Sequence, residues 1–127
     1  MAHLALSRTT NPMAVAFARR MLHDHIPNNE QLAAIARSEN RPLPSGIGPE
    51  NAAVMARLQA LHGPAFTHAY IRAQIPAHEK MLALLQSEVS SGSDPRLVSF
   101  ARMTIPVVRA HLALARRDAG MMGGMGM

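Results

Sequence analysis

Residues 93–115, "SDPRLVSFARMTIPVVRAHLALA", decide the fold class. Asp94 precedes Pro95 in the order expected of a helix N-cap followed by its first helical residue. Beyond the proline, Phe100, Thr104, Val107, His111 and Leu114 recur at three- and four-residue steps. Apolar residues at that spacing make one stripe down an α-helix. The same device opens "TNPMAVAFARRM", residues 10–21, with Asn11 as cap and Pro12 behind it. Each proline is followed by Phe-Ala-Arg, at Phe17–Arg19 and Phe100–Arg102, about 83 residues apart. This reads as an internal repeat of one helix type.

Working outward, "ENRPLPSGIGPE", residues 39–50, is a loop by its prolines and glycines. A helix is expected from Pro49 to Leu61, broken at Gly63-Pro64. A longer one runs from Ala65 to about Ser90, and the last from Pro95 to roughly Asp118. Residues 1–10 read as the stub of a further helix. Residues 1–119 therefore form one domain, and 120–127 a flexible Met/Gly-rich tail. Nothing alternates with period two over a useful length, so the expectation is an all-α antiparallel helical bundle.

The bulk numbers agree. Of 127 residues, 48% are hydrophobic but only 3% aromatic, a composition suited to closely packed helices. The net charge of +5 rests on arginines scattered along the chain, with Lys80 the only lysine. Without a basic run, an aromatic stacking platform or helix-turn-helix spacing, nucleic-acid binding is not expected. No uninterrupted apolar run approaches the ~20 residues of a membrane span, so a soluble chain is expected. The absence of cysteine excludes disulfides, thiolate metal sites and cysteine nucleophiles.

The histidines carry the chemistry. On the Pro12 helix, Phe17, Met21, His25 and Leu32 share a stripe, while His23 lies with Arg19, Arg20 and Glu30 on the polar side. On the helix after Gly63, Ile71, Ile75, His78, Leu82, Leu85 and Val89 form a second stripe; His111 sits in the third. At 1.5 Å per residue the three histidines lie roughly 20–24 Å along their helices, so packing can bring them to one level. Ile26-Pro27, Ile75-Pro76 and Ile105-Pro106 mark the same region, where interior prolines free carbonyls and bend the axes.

A buried imidazole needs partners for both nitrogens. A metal held by His25, His78 and His111 would supply them, and so would a hydrogen-bond network. A di-iron centre is not expected, because no E-x-x-H occurs: Ala33, Ala53, Leu82 and Ser91 follow Glu30, Glu50, Glu79 and Glu88 by three. Met21 lies one turn before His25 and Met81 one turn after His78. Imidazole with thioether and no thiolate points to copper. Met121, Met122, Met125 and Met127 offer the tail as another soft-metal site. His3, His23, His62 and His68 read as peripheral. No nucleophile–base constellation appears, so a non-enzymatic role is expected.

Three blocks then carry a resemblance. "NPMAVAFARRMLHDHIPNNEQLAAIA", "GPAFTHAYIRAQIPAHEKMLALL" and "DPRLVSFARMTIPVVRAHLALA" resemble the bacterial exported ferritin-like domain of unknown function, whose members are usually described as predicted outer membrane proteins. The likeness covers Leu4 to Ala115. It implies a ferritin-like four-helix bundle made for the periplasm or cell envelope, and its histidines fall on His25, His78 and His111. It implies no activity. Family members carry a full first helix with glutamates, whereas this chain begins at "MAHLALSRTT". A truncated first helix would expose an apolar groove, so self-association as a homodimer or capture of a partner is expected there. The acidic residue the family places before the second histidine is Ala77 here, while Asp24 keeps the first.

Overall fold

The computed structural model describes residues 1–38 and 49–123, with no side-chain account of residues 49, 122 and 123. Most of the predicted 39–50 loop and residues 124–127 lie outside the described residues, with Met125 and Met127 among them; so does the side chain of Met122. The described residues form five helices and no strand: α1 (Ala2–Arg8), α2 (Pro12–Ser38), α3 (Pro49–Gln59), α4 (Gly63–Ser91) and α5 (Pro95–Gly123). The chain is an all-α helical bundle, as its periodicity indicated.

Local chemistry sets the helix ends. The Asn11 side-chain oxygen accepts the backbone N–H of Met13 at 3.0 Å and of Ala14 at 3.2 Å. Asp94 accepts the N–H of Arg96 at 3.0 Å. Between α3 and α4 the chain turns at Gly63, whose φ of 58° is accessible to glycine at little cost. α4 stops at Gly92, where a Cβ would come within 2.4 Å of the Glu88 carbonyl oxygen. α5 continues to Gly123, five residues past the expected Asp118, because nothing between them breaks a helix except Gly120.

Cross-helix partners give the directions. Asp24 meets His111, Asn28 meets Thr104, and Ser38 meets Arg96, so α2 and α5 are antiparallel. His78 meets His111 while Leu85 packs with Ala101, and with the three-residue link 92–94 this makes α4 and α5 an antiparallel pair as well. α2 and α4 consequently run the same way. α1 and α3 are both short and both reach α4: Met1 touches Gln74, Thr9 touches Thr67, and Glu50 pairs with Lys80 at 2.5 Å.

The main core draws on all five helices, with Ala115 the contribution of α5. Phe17, Phe66, Tyr70 and Ile71 are wholly buried there with Ala5, Ala14 and Ala18, and Leu58 joins them from α3. Phe17 meets Tyr70 edge-on at 6.0 Å, and Phe66 stacks on Tyr70 at 5.8 Å. Burying each large apolar side chain contributes about 1.5–3 kcal/mol. A second cluster joins Leu85 to Ala101 and Val108. The α5 seam thus runs through Val108 rather than the expected Val107, a small rotation that packing against two helices imposes.

α5 is also long and apolar enough, by length and composition, to cross a membrane, with a mean hydropathy of 1.3 over its most apolar window. Arg102 and Arg109 interrupt its apolar run, so no uninterrupted stretch of that length occurs in it. That same helix buries Thr104, His111 and Asp118 against the rest of the bundle.

Candidate metal centre

The three seam histidines converge. His25, His78 and His111 each offer one ring nitrogen, and these atoms all lie within 4.8 Å of one another. Ring centroids are 5.6 Å apart for His25–His111, 5.7 Å for His78–His111 and 6.4 Å for His25–His78. His111 is 1% exposed and His78 is 7%, while His25 is half-buried.

Two of the rings are oriented from behind. His78 donates its Nδ1–H to the backbone carbonyl of Gln74, one turn back, at 2.8 Å. His111 donates its Nε2–H to Asp24 Oδ2 at 2.6 Å. Because a carbonyl and a carboxylate can only accept, each bond settles which nitrogen carries the proton. In the neutral ring the remaining nitrogen, His78 Nε2 or His111 Nδ1, is then the lone-pair atom. Both are fully buried and neither has a hydrogen-bond partner among the described residues.

Asp24 is the group that sequence reasoning missed as part of the site. Partial burial raises its pKa, but hydrogen bonds from His111, Arg20 and His23, with the Arg20 charge, outweigh that and hold the carboxyl well below its usual range. It therefore stays ionised and fixes the His111 tautomer. A carboxylate behind a histidine is a recurrent arrangement at metal sites, where it raises the basicity of the ligating nitrogen. The signal lay next to His25 in "HDH", on the flank that α5 turns out to cover. Burial, reinforced by the neighbouring His111 and His78, lowers the pKa of His25, and burial lowers that of His78 despite its bond to Gln74. Both favour the neutral, ligating form.

The methionines part company. Met21 is 4% exposed and borders a cavity of about 430 Å³ that His25 also lines. Met81 is 46% exposed and borders a different cavity, of about 280 Å³, which His25 also lines. Met121 is exposed at the end of α5. His23 points to solvent and holds Asp24 at 3.0 Å. His62 is an exposed partner of Arg8, and His3 is exposed. His68 departs from its expected peripheral place: it is half-buried, and its Nδ1 is enclosed without a partner among the described residues.

Three imidazoles facing one another have the donor chemistry of a late transition-metal site. At metal–nitrogen distances of 2.0–2.1 Å, tetrahedral donors lie about 3.3 Å apart. The three ring nitrogens, all within 4.8 Å of one another, stand close to that spacing. The architecture so far defines an all-α bundle with a possible histidine metal site. Residues 1–117 match the family described as Domain of unknown function (DUF4142), and the chain belongs to that family. No curated protein and no solved structure matches the chain.

Proposed function

We propose that this protein is a non-enzymatic metal-binding bundle of the periplasm or cell envelope, with copper as its metal. The observation that carries the reading is the pair of buried, unpartnered lone pairs on His78 and His111, with His25 beside them. Two lone pairs cannot satisfy each other, and leaving buried polar atoms unpaired costs roughly 1–3 kcal/mol each. A cation between them removes that cost. Imidazole alone suits copper, zinc or nickel, and the nearby thioether of Met21 tips the preference to Cu(I). The ferritin-like likeness and the lack of cysteine support an exported bundle. Self-association on the α1 side is part of the same proposal.

A second reading has support in the same bonds. The contacts from Gln74 and Asp24 would also suit a structural histidine network in an interaction module that binds a partner or a second copy. A competition titration separates the two. Intact chain, a deletion of residues 120–127 and His25→Ala/His78→Ala/His111→Ala are titrated with Cu(I) anaerobically and with Zn(II). One equivalent bound tightly, lost in the triple variant and kept in the deletion, supports the metal centre. Absence of tight binding, with the triple variant only less stable, supports the network.

A further inference from the structure

The three histidines are not equivalent. His78 and His111 are each anchored through their rear nitrogen, to Gln74 and to Asp24. The His25 ring makes no hydrogen bond among the described residues, and it is half-buried where the others are buried. It also borders two voids. One is the 430 Å³ cavity, bordered by Met1, His3, Met21, Tyr70 and Gln74. The other is the 280 Å³ cavity, walled by Leu85, Leu97, Phe100 and Val108 with Met81 beside them. Close-packed interiors hold side chains in one rotamer, and a ring that borders two voids has room to leave its position.

The two voids differ in chemistry. Met1, His3 and Met21 give the larger one two thioethers and an imidazole, all soft or borderline donors. The Met1 sulfur accepts from the Gln74 side-chain amide at 3.8 Å, and the same Gln74 orients His78 through its backbone carbonyl. The smaller void is walled mainly by hydrocarbon, with Met81 and Glu88 at its border, and gives a displaced ring space.

We infer that His25 is a swinging ligand which receives a soft monovalent cation, Cu(I) or Ag(I), in the Met1–His3–Met21 chamber and delivers it to the fixed His78–His111 pair. This deepens the metal-centre reading and rests on it. No bond is made or broken except ligand exchange at the cation, and no electron is transferred. His78 and His111 set the affinity, while the chamber and the freedom of His25 set the rate.

The test measures rate and equilibrium separately on the full chain. Cu(I), supplied anaerobically as its bicinchoninate complex, is mixed with wild type and His3→Ala, and the loading rate is followed alongside the competition endpoint. Loading should slow by about tenfold in His3→Ala with the endpoint unchanged, as for a gating step. Affinity falling in step with rate would make His3 a resident ligand and overturn the relay. An unchanged rate would overturn it as well. Carbon-13 relaxation of the histidine Cε1–H groups gives a readout free of metal. His25 should show conformational exchange that His78 and His111 lack, and a rigid His25 overturns the proposal. Failure to bind Cu(I) at all, with His25 mobile, instead sinks the metal centre and the relay together.

Discussion

At the scale of the residue, Asp24 matters most to His111. It holds the imidazole proton on Nε2 and leaves Nδ1 for the cluster. Asp24→Asn keeps the size and an acceptor but removes the charge. Metal affinity should fall by about 10–100-fold in competition titrations, the range seen when a group behind a metal-bound histidine is changed. Sequence pattern alone could not select this carboxylate. Asp24 sits one position off the stripe of Met21 and His25, so helical periodicity places it at the edge of the buried face, and only the arrival of α5 turns that edge into a contact.

At the scale of the element, helix ends were legible because capping is local. Asn11 serves Met13 and Ala14 within three residues, and no distant contact is needed to specify it. Asn11→Ala should cost about 0.5–2 kcal/mol in chemical denaturation. The C-terminal end of α4 gives a second check. Gly92→Ala puts a Cβ against the backbone oxygen of Glu88, which cannot move aside as a side chain would. A loss of about 1–3 kcal/mol is expected, the usual range for overpacking. The three interior prolines were also legible, and Pro27, Pro76 and Pro106 all lie inside their helices. The extent of α5 was not, because the composition of residues 119–123 does not reveal that a helix already docked on α4 continues through them.

At the scale of the whole molecule, the buried imidazoles couple stability to pH. Burial, with like neighbours for His25, places both His25 and His78 below their ordinary 6.5 in the folded state. As pH falls below 6.5 the unfolded chain takes up these protons first, so the stability they contribute is complete above that value. It is lost as pH descends through the folded pKa values. Asp24, held below its ordinary 3.8 by its hydrogen bonds against the effect of burial, contributes stability present above 3.8 and lost beneath it. Denaturation midpoints at pH 8, 5.5 and 3 should therefore fall in two stages. His25→Ala/His78→Ala should remove the first stage, and Asp24→Asn the second. A metal that binds only the folded chain should raise stability by about 2.7 kcal/mol at a free concentration a hundredfold above its dissociation constant, read as a shift in midpoint. The triple histidine variant should show no such shift.

What the sequence by itself determined was what repeats within one helix: the all-α class, the capped starts at Asn11 and Asp94, and the presence of His25, His78 and His111 each in its own apolar seam. Side chains three and four residues apart share a face whatever the helix packs against, so this information is complete in the local pattern. The tertiary structure alone decided how those faces meet. It set which nitrogens of His78 and His111 are left for the cluster and brought Asp24 behind His111. It also placed Met21 and Met81 in different cavities that His25 borders, and set α1 and α3 together against α4. The rotation and height of one helix against another come from side chains of distant segments interlocking. No periodicity within a single segment encodes them.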